Sequence, residues 1–342
     1  MMITKIYANT EVDQAAAEIK LGELVAFPTE TVYGLGADAT NEQAVKRVYL
    51  AKGRPSDNPL IVTVSSPEMA AEYIEDFGSY GQKLINDFWP GPLTLVFKIK
   101  PGSLSSAVTG GLETAAFRMP ENEVTRKMIE LAGVPIVGPS ANSSGKPSPT
   151  TAQHVFHDME GKIAGILDDG PTKVGVESTI VDLSIDSPAI LRPGGVTLNE
   201  LEDTLGVKVL SDQHKVGAKE TPKAPGMKYK HYAPAAQVLI VADKDWPQAL
   251  EWAANQKEKV AMMALSTTLE NSQIPGNVVT YDMGADLTSA THRLFDGLRH
   301  FDNDEPVNWI LACSFKEEGL GAAYMNRLKK AAGDQFFKAK ID

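Results

Sequence analysis

The sequence predicts two α/β domains joined by a basic linker, and three observations carry that prediction. Apolar runs of strand length alternate with stretches of helical period through the first two-thirds of the chain. The pattern breaks after about Leu210, where lysine, glycine and proline take over. It restarts at Gln237 as a smaller unit. At 342 residues the chain exceeds one ordinary domain of about 100–200 residues. The expected divisions are a larger domain with a mixed sheet at 1–210, a linker that could act as a lid at 211–236, and a smaller Rossmann-like domain at 237–342.

The elements follow in order. Residues 12–22 read as a helix, with Val12, Ala15, Ala16 and Ile19 at helical spacing and Gly22 as the stop. Residues 24–28 are a short buried strand ending at Pro28. Asn41 caps a helix to Ala51 that carries Ala44, Val45, Val48 and Tyr49. Strands are expected at 60–64, 93–99, 115–118, 136–138, 163–167, 179–183 and 190–192. Helices at 67–76, 80–88, 123–132 and 151–159 fall between several of them. In the linker, Lys215, Lys219, Lys223, Lys228 and Lys230 face a single acid, Glu220. Beyond it, strands at 238–241, 260–265, 278–281 and 309–312 alternate with helices at 247–256, 287–302 and 321–332.

Composition narrows the function. Hydrophobic residues at 43% and charged residues at 23% are those of a globular chain. A net charge of −11 argues against a protein-wide basic field for nucleic acid, although a local basic groove stays open. Cys313 is the only cysteine, so neither an intramolecular disulfide nor a cysteine-cluster metal site can form. The N-terminus lacks the apolar core of a signal peptide, and no window approaches about 18 apolar residues. No membrane span is expected, and the cytoplasm is the default compartment.

No phosphate-binding G-x-x-x-x-G-K-[ST] loop is present: residues 140–147 begin with Ser140 and place Pro147 after Lys146. Gly34 and Gly36 lack the third glycine of a dinucleotide fingerprint. His154 and His157, beside Asp158, read as a polar helix face, so no resident metal is expected. Four segments stand out instead. Residues 28–36 (Pro-Thr-Glu-Thr-Val-Tyr-Gly-Leu-Gly) follow a strand directly, as site or as a turn needing positive φ at Gly34 and Gly36. Lys52 and Arg54, two apart in what reads as an extended run, suit a polyphosphate, or else a solvated turn. Residues 140–148 offer hydroxyls and amides to phosphate oxygens, or are merely a polar loop. Residues 225–234 interleave aromatics with cations between prolines, as a lid, as an RNA-binding segment or as a passive tether. Arg118 and Arg192 each end a strand pattern, where a charge is costly if buried unpaired.

Together these segments resemble the YrdC-like family in its longer two-domain form, the threonylcarbamoyl-AMP synthases. The resemblance spans essentially the whole chain, and the K-x-R and S-x-N strings in this order carry it with the linker segment. It implies a YrdC-like mixed, twisted sheet and a reaction of L-threonine, bicarbonate and ATP to threonylcarbamoyl-AMP and pyrophosphate, for modifying an adenosine in tRNA. By that resemblance Lys52, Arg54, Asn58, Ser140, Asn142, Ser148, Arg192 and Tyr232 surround ATP, with Lys52 and Arg54 acting electrostatically. Thr31, Thr63, Arg118, Gly138 and Ser178 hold threonine, and Tyr229, His231 and Tyr232 form a lid. Mg²⁺ would accompany ATP, and a tRNA-modifying transferase would receive the product. Two alternatives are a translation factor binding tRNA or double-stranded RNA without ATP turnover, and carbamoyl transfer from carbamoyl phosphate. The second normally comes with cysteine-rich zinc modules, which a chain with one cysteine lacks.

Overall fold

A computed structural model describes residues 2–56, 58–211, 222–223 and 232–338. The chain divides into two compact units, Met1–Ser144 with Ser148–Tyr229, and Gly145–Pro147 with Lys230–Asp342. Each is taken by itself.

The first unit opens with β1 (Lys5–Ala8), α1 (Val12–Lys20), β2 (Val25–Phe27), β3 (Gly34–Asp38) and α2 (Glu42–Lys52). There follow β4 (Ile61–Thr63), α3 (Pro67–Ala71), α4 (Gly78–Phe88), β5 (Leu93–Lys98), α5 (Ser106–Thr109) and β6 (Thr114–Arg118). Next come α6 (Glu123–Ala132), β7 (Ile136–Val137), α7 (Ala152–Met159) and β8 (Gly165–Asp168). The unit closes with β9 (Thr179–Asp182), β10 (Ala189–Arg192), α8 (Leu198–Leu205) and β11 (Leu210–Ser211). The strands form one sheet in the order β1-β8-β2-β3-β7-β4-β6-β5-β9-β10-β11. Pairing is mixed: β4 and β6 run parallel, whereas β7 is antiparallel to both β3 and β4. A mixed α/β sheet is the expected class.

Local chemistry sets the helix ends. The Asn41 side chain accepts from the backbone N–H groups of Gln43 and Ala44, and Gly53 ends α2 at φ 61°. Ala44, Val45, Val48 and Tyr49 of α2 sit in the main core with Leu35, Val62 and Val137 of the sheet. This corrects one expectation. Lys52 is the last residue of α2 and Gly53 a left-handed turn, so Lys52 and Arg54 do not lie in an extended run. A second correction concerns Gly34 and Gly36, which belong to a strand and not to a positive-φ turn. They are glycines because β2 lies too close: a Cβ on Gly34 would stand 2.4 Å from the Phe27 ring. The helix expected at 67–76 stops at Ala71, and β1 and α5 went unforeseen.

The second unit contains β12 (Gln237–Val241), α9 (Trp246–Ala254), β13 (Val260–Ala264), α10 (Ser266–Glu270) and β14 (Val278–Asp282). It ends with α11 (Leu287–Asn303), β15 (Trp309–Cys313) and α12 (Leu320–Ala332). The four strands are all parallel, in the order β12-β15-β13-β14, an open Rossmann-like sheet. Gly145–Pro147 is held within this unit: Arg299 donates from Nε and Nη2 to the Pro147 carbonyl at 3.1 and 2.6 Å, and Lys146 pairs with Asp302 at 3.0 Å. Of the expected linker, 212–221 and 224–231 lie outside the described residues. Lys223 pairs with the buried Asp182 carboxylate at 2.8 Å, within the first unit. No helix among the described residues is long and apolar enough to cross a membrane.

Candidate active site

Strand ends in the middle of the large sheet converge on one cleft. Thr63 ends β4 directly beside Arg118, the last residue of β6. The Gly138 amide donates to the Ile61 carbonyl at 2.8 Å, and Ser140 bridges to Gly34 across the sheet. On the other side β9 lies between β5 and β10, which brings Ser178, just before β9, next to Arg192 at the end of β10. The cleft is lined by Thr63, Arg118, Gly138, Ser140, Glu177, Ser178 and Arg192, with Phe27, Val32 and Ile61 as apolar floor. Space here depends on Gly138. A Cβ at that position would stand 2.5 Å from the Thr63 hydroxyl and 3.0 Å from the Phe27 ring.

Two buried guanidinium groups give the cleft its charge. Arg192 donates from Nε and Nη2 to the Ser178 carbonyl at 3.2 and 3.0 Å, and from Nη2 to the Ser178 hydroxyl at 3.3 Å. That hydroxyl also meets Thr94 at 2.7 Å, which fixes Ser178 from the neighbouring strand. Arg118 Nη2 lies 2.7 Å from Glu30 Oε1, and its Nε donates to the Gly91 carbonyl at 3.4 Å. Glu177 accepts from the buried Ser148 hydroxyl at 2.5 Å. Sequence reasoning passed over Glu30 and Glu177. Glu30 stands inside the 28–36 string, and a carboxylate at a strand end in a chain whose other strand ends carry arginine was the available signal.

Lys52 sits beside this cleft and acts on its loop. Its buried ammonium donates to the carbonyls of Ser140 at 2.5 Å and Asn142 at 2.7 Å, while the Ser140 hydroxyl donates to the Asn142 side chain at 2.5 Å. The loop is cross-braced by a cation aimed at its carbonyls, and its amides are tied down as well: those of Ala141 and Ser144 donate to the Tyr33 and Lys52 carbonyls at 2.9 and 2.8 Å, and that of Ser143 to Asp158 at 2.9 Å. Arg54 lies 6.0 Å over the Tyr49 ring, and the Tyr49 hydroxyl donates to the Asn58 carbonyl at 2.8 Å. Asn58 is fully buried, and neither atom of its amide has a partner among the described residues. The buried Thr31 hydroxyl pairs with Thr29 at 2.8 Å. Burial and Asp168 raise the Tyr33 hydroxyl well above its ordinary pKa; it donates to the Gly170 carbonyl at 2.7 Å and pins the 28–36 segment.

The structure therefore brings Thr63, Arg118, Gly138, Ser140, Ser178 and Arg192 into one wall. Lys52, Asn142 and Ser148 join it through hydrogen bonds to Ser140 or to Glu177. Arg54, Asn58 and Thr31 are outside the wall itself. Tyr229 and His231 lie outside the described residues. Tyr232 belongs to the second unit, buried with its ring 5.1 Å from Phe295.

Gly194 backs the site. A Cβ there would fall 2.2 Å from the Thr179 amide and 2.5 Å from the Glu177 carbonyl, both backbone atoms. Gly194→Ala is expected to push residues 177–179 aside and cost about 3 kcal/mol or more in thermal unfolding. Gly276→Ala, where no atom lies within 4 Å, is the control and should be close to neutral.

Comparison with known proteins agrees with this geometry. A family model described as "Telomere recombination" matches residues 17–194, and one described as "Threonylcarbamoyl-AMP synthase, C-terminal domain" matches 196–333. The chain is 44% identical over 337 residues to the threonylcarbamoyl-AMP synthase of Bacillus subtilis, covering 96% of this chain and 95% of that one. It is 46% identical over 327 residues to that of Pyrococcus abyssi, covering 95% and 94%. A crystal structure of P. abyssi Sua5 complexed with L-threonine superposes with a TM-score of 0.89 at 43% identity, over 98% of this chain and 99% of that one. Since two family models succeed one another along this sequence and full-length relatives align nearly end to end, the chain belongs to the threonylcarbamoyl-AMP synthase family in its two-domain form.

Proposed function

We propose that the protein makes threonylcarbamoyl-AMP from L-threonine, bicarbonate and ATP, releasing pyrophosphate, and that a tRNA-modifying transferase consumes the product. The observation that carries this reading is the pair of buried guanidinium groups, Arg118 at the end of β6 and Arg192 at the end of β10, lining one cleft. Threonine's amine and bicarbonate combine to a carbamate with loss of water. A carbamate oxygen then attacks the α-phosphorus of ATP, and pyrophosphate leaves. No covalent bond to the protein is needed; alignment and charge stabilisation suffice.

Arg118 grips the threonine carboxylate through its planar fork, with Thr31, Thr63, Gly138 and Ser178 completing that pocket. Arg192, Lys52, Arg54, Asn58, Ser140, Asn142 and Ser148 serve the nucleotide. Lys52, by drawing the Ser140 and Asn142 carbonyls inward, holds the shape of the loop that faces the phosphates. Mg²⁺ would arrive with ATP and shield its phosphate charge. Phosphate oxygens would be its main ligands.

The test is pyrophosphate release from ATP with threonine and bicarbonate omitted in turn. Release should require both. Release indifferent to either omission would remove the assigned reaction.

A further inference from the structure

We propose that Glu30 is a positioning residue for the amino-acid substrate, acting through Arg118 and tuning that half of the cleft to a zwitterion. The inference rests on the reading above that Arg118 receives the threonine carboxylate. Glu30 is 3% exposed; one carboxylate oxygen is ion-paired and the other hydrogen-bonded. Oε1 lies 2.7 Å from Arg118 Nη2, while Oε2 accepts the Glu121 backbone N–H at 3.1 Å. Its own carbonyl accepts from the amides of Lys173 and Val174 at 3.0 and 2.7 Å, so the backbone carrying the carboxylate is fixed as well.

An arginine has five donors in a rigid fork on a flexible stem. Here Nε faces the Gly91 carbonyl and Nη2 faces Glu30, whereas Nη1 has no bond to a described residue. A hydrogen bond at Nε and an ion pair at Nη2 thus hold the guanidinium in place before any ligand arrives. That preorganisation removes an ordering cost which substrate binding would otherwise carry.

Charge gives Glu30 a second consequence. The Arg118–Glu30 pair is neutral as a unit. A threonine zwitterion, also neutral, enters without confronting excess charge, and its carboxylate meets Nη1. A lone buried guanidinium would instead attract a polyphosphate at least as strongly as an amino acid. Glu30 therefore keeps the phosphate chain on the Arg192 side of the cleft.

The test uses the full chain as wild type, Glu30→Gln, Glu30→Asp, Arg118→Lys and the double variant Glu30→Gln/Arg118→Lys. L-threonine affinity is measured by titration, the KM for ATP by pyrophosphate release, and inorganic pyrophosphate is tried as an inhibitor against threonine. Glu30→Gln should weaken threonine about tenfold or more while the KM for ATP stays within about twofold. Pyrophosphate should become competitive with threonine. Glu30→Asp should recover part of the loss. In the Arg118→Lys background, where no fork needs orienting, Glu30→Gln should change threonine affinity by no more than about threefold. Unchanged threonine affinity in Glu30→Gln overturns the proposal. So does an equal loss for ATP and threonine, or an equal loss in both backgrounds. Should Glu30→Gln not fold, Glu30→Asp carries the comparison: a loss confined to threonine supports the role, and no loss or a uniform one overturns it. A wild-type chain that does not bind threonine would sink both this proposal and the reading of the site, whereas normal wild-type binding with an indifferent Glu30→Gln sinks the positioning role alone.

Discussion

Arg118→Leu is expected to weaken L-threonine binding on the order of 100-fold and to lower thermal stability as well. The binding loss follows because a desolvated charge-assisted pair is worth about 2–5 kcal/mol when one partner is truncated. The stability loss follows from Glu30, whose carboxylate would remain buried without its cation. Breaking such a buried pair costs about 3–5 kcal/mol, which in a domain of this size lowers the unfolding midpoint by about 10 °C. Steady-state kinetics against threonine and a thermal scan check both halves. Wild-type KM for threonine with a lowered midpoint would reduce Arg118 to a structural ion pair.

Lys52→Met is expected to lower turnover about 100-fold through the nucleotide side of the cleft, with threonine affinity little changed. Methionine keeps the apolar stem in the core and deletes only the ammonium. The Ser140 and Asn142 carbonyls then lose their shared donor, at about 1–3 kcal/mol each, and the loop relaxes. A titration of ATP against pyrophosphate release separates the effects. Turnover within about twofold of wild type would show that the loop holds its shape without the cation.

Much of this was legible in the sequence where a residue's role depends on near neighbours. The apolar runs at 93–99 and 136–138, the Asn41 cap and the arginines closing the strands at 118 and 192 announce themselves locally. What depends on distant partners did not. Gly34–Asp38 is a strand only because Phe27 and Ile136 flank it, so a glycine-rich string with little strand propensity looked like a turn. Lys52 reads as a phosphate residue by type, but the carbonyls that its ammonium meets lie some ninety positions away, where no spacing rule reaches. Glu30 is buried only because β6 delivers Arg118 to it, a pairing no spacing rule contains. Gly145–Pro147 looked continuous with its loop, and contacts with Ala233, Arg299 and Asp302 reveal that those residues belong to the second unit.

In the proposed reaction a carbamate, and not threonine's own carboxylate, is delivered to the α-phosphorus of ATP in the cleft of the first unit. Mass spectrometry of the adenylate formed from ATP, L-threonine and ¹³C-labelled bicarbonate tests it most directly. The expected product is an AMP adduct that contains threonine together with the labelled carbon. An unlabelled threonyl-AMP, or ADP in place of pyrophosphate chemistry, would contradict it.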